Sequence, residues 1–261
     1  MKRLCVIALL TSMHLLAVGP PRNNSYITEY DNVLSQVADG GGWSTRITLV
    51  NMDTVAATFN LWFYADPDGS PWNVELKGQT GAQSMWTFTI PVGGSLFLET
   101  SGTAGQTSQG WAYLESPMYW VSGMATFRAA WMPTNDAEAV VQFASEVDDH
   151  YFIPFENRAG YVTSIAIVNP NLVGNAYVTL QFRDPDANPI RTDSLVLAPL
   201  QHKAFKTTDQ YPETGGKNGV IEVSVTGDPG QYFGASALAL LFSPRGTFST
   251  IPSVAILPVA F

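Results

Sequence analysis

Two stretches of the chain place an apolar residue at every second position. In YVTLQFRD (177–184), Val178, Leu180 and Phe182 fall on one side and Thr179, Gln181 and Arg183 on the other. In FNLWFYAD (59–66), Phe59, Leu61 and Phe63 form the same apolar row. A period of two is that of a strand with one face on a core and one toward water. Further strands are predicted over 45–50, 86–91, 95–99, 110–115, 120–129 and 139–144, with counterparts in the second half. Past the first twenty residues no window keeps an apolar 3.6 period for three turns, so helix is predicted to be minor.

The same pattern occurs twice. DPDGSP (66–71) returns as DPDANP (184–189), 118 residues later. LSQVADGGGWSTRITLVN (34–51) pairs with FIPFENRAGYVTSIAIVN (152–169) at that offset, setting Asn51 against Asn169. Within the alternating strand, superposing the apolar faces requires an offset of 119, since a one-residue slip would invert the core face. Ala65 is then the extra residue, predicted as a bulge before the turn. TIPVGGSLFLET (89–100) pairs with LAPLQHKAFKTT (197–208) at offset 108, and QGWAYLES with NGVIEVSV near 109. The second copy has thus lost residues between the hairpin turn and the Pro-containing strand.

Short strands separated by turn signals at roughly 8- to 15-residue intervals predict an all-β chain of two tandem immunoglobulin-like antiparallel β-sandwich domains, over 33–145 and 151–261. At 261 residues, each copy is long enough for its own core. Composition agrees: charged residues make up 13 %, about half the usual ~25 %. Glycine and proline are spread along the chain, as in turn-rich β structure. The terminal SVAILPVAF alternates and ends in Phe261 like an outer-membrane barrel strand. Pro252, Pro258 and the duplication favour a last sandwich strand instead.

The string VADGGGWSTRITLVN, followed by AATFNLWFYADPDGSP and VSGMATFR, resembles a family of secreted bacterial proteins built from paired immunoglobulin-like sandwiches. The resemblance covers nearly all of the chain after its first segment. It implies fold and export and carries over no catalytic residue.

The amino end agrees with export. Lys2 and Arg3 precede an apolar run from Leu4 to Leu10, which reads as a signal peptide over residues 1–20. Cys5, the one cysteine, lies inside it, so the exported chain would hold no thiol for a disulfide, a metal or a nucleophile. Removing those residues takes away two basic groups and no acidic one, moving the net charge from −9 to −11. An acidic surface without basic runs argues against nucleic-acid partners and against anionic membranes, and no later stretch is apolar enough to span one. Localisation is therefore expected to be secreted, periplasmic or at the cell surface.

Four features invite chemistry. Asp66, Asp68 and Ser70 occupy positions 1, 3 and 5 of a calcium loop, but Pro71 and Lys77 stand where glycine and a bidentate glutamate belong, and Pro189 and Leu195 in copy two. A hairpin turn explains the hexapeptides better, since Pro presets φ and Asp caps its own backbone. Between the copies, Glu146, Asp148, Asp149 and His150 form a candidate metal cluster, against the alternative of a solvated linker. Beyond the signal only His150 and His202 remain as histidines, and no nucleophile elbow, zinc-protease helix, phosphate loop or dinucleotide fingerprint occurs. The chain is accordingly read as not an enzyme, with no cofactor.

The fourth feature is tryptophan. All seven lie in copy one. Trp62 and Tyr64 share the face opposite Phe59, Leu61 and Phe63, where copy two has Gln181 and Arg183. These aromatics are candidate ligand-binding residues. They would either stack on sugar rings, anchor a protein interface, or pack against a loop or the sister domain. The expected function is an exported non-catalytic surface or extracellular binding or structural protein, of protein–protein or adhesion type. Carbohydrate binding through the aromatic face of copy one is the alternative, so the partner is a protein or a surface glycan.

Overall fold

The computed structural model describes residues 31–116, 118–130, 137–144, 148–228 and 234–255. The segment read as a signal peptide lies outside them, as do Trp131 and Glu146. Repeat one contains β1 (Asn32–Asp39), β2 (Trp43–Asn51), β3 (Ala57–Ala65), β4 (Val74–Glu75) and β5 (Ala82–Gln83). It continues with β6 (Met85–Ile90), β7 (Ser95–Glu99), β8 (Ser108–Glu115), β9 (Val121–Ala129) and β10 (Ala137–Gln142). Repeat two contains β11 (His150–Glu156), β12 (Val162–Val168), β13 (Ala176–Arg183), β14 (Pro189–Leu197) and β15 (His202–Lys206). After one helical turn, α1 (Thr207–Gln210), come β16 (Asn218–Thr226), β17 (Ser236–Phe242), β18 (Phe248–Ile251) and β19 (Val254–Ala255). The described residues are all-β with almost no helix, as the period of two predicts.

In repeat one the sheets run β1-β8-β3-β6 and β10-β9-β2-β7, and in repeat two β19-β11-β16-β13-β14 and β18-β17-β12-β15. Among the described residues all pairings are antiparallel and no sheet closes on itself. Apart from β19 and the β4–β5 hairpin, the two orders are the same. Each repeat builds one core from both of its sheets. Phe59, Leu61 and Phe63 meet Ile47, Leu49 and Phe127 in the first, and Val178, Leu180 and Phe182 meet Ile165 and Ile167 in the second.

The cross-strand registers fix residue equivalence between the repeats. Leu61 faces Leu114 and Leu180 faces Val223, which supports the offset of 119 for the alternating strand. Gly110 ends the first of these pairings, and its equivalent Gly219 lies next to the last pair of the second. A Cβ on Gly110 would lie 1.9 Å from Tyr64 O, and one on Gly219 1.9 Å from Arg183 O. The expected bulge at Ala65 does not form, because the β3–β8 pairing runs unbroken from Asn60 to Ala65. The turn itself takes the extra residue: Ala65 N bonds Ser70 O in repeat one, and Asp184 N bonds Asn188 O in repeat two.

A second correction concerns the later strand. Ile47 faces Leu98 and Ile165 faces Phe205, so the offset there is 107 rather than 108. Phe97 is thereby the equivalent of Ala204, and Glu99 of Lys206. Asn51 and Asn169 agree with this register. Asn51 Nδ2 donates to Ile90 O at 3.0 Å and Pro91 O at 3.2 Å, and Asn169 Nδ2 to Leu197 O at 3.0 Å and Ala198 O at 3.2 Å. The residues lost from copy two correspond to the stretch that carries β4 and β5, where Val74 and Leu76 add to the first core.

A bulge does occur, in β1. Leu34 faces Ala112 and Val37 faces Gly110, so Ser35 and Gln36 together oppose Trp111. In repeat two the single residue Pro154 opposes Val220.

Candidate functional site

The outward face of β3 and β8 carries Trp62, Tyr64, Trp111 and Tyr113. This aromatic strip runs from open surface to the junction with repeat two. Tyr64 is only 8 % exposed and stacks on Trp111, with ring centroids 4.7 Å apart and planes at 21°. Trp111 is fully buried, and its Nε1 donates to Leu200 O of repeat two at 2.9 Å. Val33, Val168 and Leu200 complete the cluster. Burial, and secondarily the charge of Glu115, pushes the Tyr64 hydroxyl above its ordinary pKa.

Trp62 lies at the open end, half-buried, with its ring 6.5 Å from that of Tyr64. Glu115 Oε2 accepts from Trp62 Nε1 at 2.9 Å and from Asn60 Nδ2 at 3.0 Å. Thr87 Oγ1 donates to Asn60 Oδ1 at 2.8 Å. The two candidate residues therefore have different surroundings: Tyr64 packs in the cluster with Val168 and Leu200, and Trp62 borders solvent beside a carboxylate and an amide.

The first hexapeptide turn is also part of the junction. Gly69 has φ +70°, and a Cβ there would lie 2.4 Å from Leu200 O. Leu200 itself sits in the left-handed region at φ 62°, a conformation that costs a non-glycine residue free energy. Asp66 Oδ2 accepts from Gln109 Nε2 at 2.7 Å, and Asp66 Oδ1 lies 3.7 Å from Nδ1 of the fully buried His202. Asp68 Oδ1 caps Ser70 N at 3.0 Å, while in copy two Asp184 Oδ1 accepts from Asp186 N at 3.0 Å and Asn188 N at 2.9 Å. These hydrogen bonds hold both carboxyls below their usual range, with Ser70 the main cause at Asp68 and Asn188 at Asp184. Lys77, where a calcium loop has its bidentate acid, pairs with Glu99. Both hexapeptides are turns capped by their own aspartates.

Of the candidate metal residues, the structure describes Asp148, Asp149 and His150. Glu146 lies outside the described residues. Asp148 and Asp149 offer backbone oxygens to Ala235 N at 3.1 Å and to Val225 N at 2.7 Å. His150 Nε2 lies 2.8 Å from Glu222 Oε1, and the other oxygen of Glu222 pairs with Arg183. Among the described residues no group of three His, Cys, Asp or Glu is placed to hold a metal ion.

Of the remaining tryptophans, Trp86 and Trp72 belong to the first core or its margin, and Trp43 packs on Phe248 of repeat two at 5.1 Å. Trp120 is 47 % exposed. It adjoins a surface that the period of two does not single out, the outer face of β10-β9-β2-β7. There Thr48 lies between Phe97 and Met124, which are 68 % and 42 % exposed, and Val50 follows on the same strand. No described helix is long and apolar enough to cross a membrane. Comparison of the chain with family models, with curated proteins and with solved structures gives no match.

Proposed function

We propose that the protein is an exported, non-catalytic binding or structural protein of the adhesion type. In this reading it is two immunoglobulin-like sandwiches in tandem that engage a protein partner through the outer face of β10-β9-β2-β7. One observation carries the reading: the equivalent face of repeat two is already an interface. Val168, Ala166 and Leu238 stand where repeat one has Val50, Thr48 and Met124. Val168 is fully buried in the cluster with Tyr64 and Trp111, whereas Val50 is exposed. Repeat one thus presents an apolar version of a surface that, in its duplicate, binds a protein domain. Contiguous exposed apolar residues of this kind mark association sites.

The second reading, carbohydrate binding, keeps the Trp62 end of the aromatic strip, where an indole lies beside Glu115 and Asn60. One experiment separates the two. Fluorescently labelled protein is applied to bacterial surfaces and secreted matrix, untreated or pretreated with protease or glycosidase. Phe97→Ser with Met124→Ser should weaken binding by about tenfold or more, as loss of buried anchors does, and protease should abolish it. Binding indifferent to these changes rejects the protein interface. Loss only with Trp62→Ala and with glycosidase would establish the sugar face instead.

A further inference from the structure

Between the repeats lies a cleft of about 250 Å³, and we infer that it is a binding site for a small, largely apolar molecule bearing one hydroxyl group. Trp43 and Phe127 of repeat one and Leu238, Leu240 and Phe242 of repeat two line it. Its floor is the outer face of β15-β12-β17. There Ser164 lies between Lys206 and Leu240, and Ala166 between Ala204 and Leu238. The hollow has a cause in the sequence, since three floor positions on the central strand and its neighbour are the small residues Ser164, Ala166 and Ala204. The equivalents in repeat one are Arg46, Thr48 and Phe97, which would fill the space.

Gln36 supplies the polar anchor. It belongs to the β1 bulge, the one-residue excess that repeat two lacks, and bulges characteristically re-aim a side chain. Gln36 lines the cleft and is 9 % exposed, and its Oε1 has no hydrogen-bond partner among the described residues. Its Nε2 makes only long contacts of 3.5 Å, to Val37 O and Gln109 Oε1. A buried amide oxygen without a donor is costly, and turning the Gln36 amide toward the cleft would let a ligand hydroxyl satisfy it. Apolar walls around few polar groups are the usual make-up of small-molecule sites. A cavity of ~150 Å³ already holds benzene, so this cleft takes a ring with a short chain.

The test uses the purified chain with 4-propylphenol and with propylbenzene, which differ only in the hydroxyl, followed by calorimetry and ligand-observed NMR. The phenol should bind about tenfold more tightly, the worth of one buried hydrogen bond. Gln36→Leu should erase that preference while propylbenzene still binds. Ala166→Leu should fill the hollow and abolish binding of both, with tryptophan fluorescence confirming the fold. If that variant fails to fold, Ser164→Val on the adjoining row serves the same purpose. Absence of binding to the unaltered chain overturns the inference. So does a hydroxyl preference that survives Gln36→Leu, or affinity that survives filling the floor.

Discussion

Trp111→Ala is expected to remove about 3–5 kcal/mol of unfolding free energy, the usual loss for a large buried aromatic, and to split one urea transition into two. Trp111 is fully buried, stacks on Tyr64 at 4.7 Å and donates to Leu200 O at 2.9 Å, so truncation opens a cavity at the contact between the repeats. It also leaves the Leu200 carbonyl without that donor, at a residue whose φ of 62° is already unfavourable. The chain has a built-in probe for the measurement. Because every tryptophan lies in repeat one, fluorescence follows that repeat and its contacts with repeat two, while circular dichroism follows both repeats throughout. In the unaltered chain the two signals should coincide, and in Trp111→Ala they should separate. Coincident transitions with a loss below about 1 kcal/mol would show that this contact does not couple the repeats.

The next largest effect is expected at the duplicated asparagines. Asn51→Ala and Asn169→Ala should each cost about 3 kcal/mol, because a buried side chain that serves several backbone groups at once is removed. Besides its bonds to Ile90 O and Pro91 O, Asn51 donates to Val55 O at 2.7 Å and accepts from Asp53 N at 2.9 Å. Asn169 donates to Gly174 O at 3.0 Å and accepts from Asn171 N at 3.1 Å. The isosteric Asn51→Asp should not rescue stability at neutral pH, since it sets an acceptor against carbonyl oxygens. The two losses should add in the double variant, the sites lying in different repeats without a shared partner. Urea midpoints for the four proteins check this, and a near-neutral Asn51→Ala would reject the role.

The period of two made the cores readable. Phe59, Leu61 and Phe63 alternate without exception because they face one continuous core, and so do their equivalents in copy two. What failed was register where identity and burial disagree. Aligning Pro91 with Pro199 gives an offset of 108, but proline at a strand's end is set by local turn chemistry, whereas Leu98 and Phe205 are set by the partners they face across the sheet. The β1 bulge was hidden for a related reason: one inserted residue between two apolar positions leaves no mark on composition. Tyr64 illustrates a different limit. Its alternation places it on the outer face, as observed, but an outer face can be covered by another domain, and no local pattern records the position of Val168 or Leu200. Gln36 became notable only once the repeats were brought together.

The contact between the repeats is heterologous, because each contributes a different surface. Repeat two offers the outer face of β12 and its neighbours, and repeat one offers β1, β3 and β8. Such a joint can in principle propagate, adding a third domain to the corresponding surface of repeat two. That surface has Gln181, Arg183 and Glu222 where repeat one has Trp62, Tyr64 and Tyr113, and Arg183 and Glu222 are paired there. A hydrated ion pair in place of stacked rings has no affinity for another apolar sheet face. Exchange of three aromatics for charged and amide groups thus leaves repeat two without the stacked rings through which repeat one makes this joint.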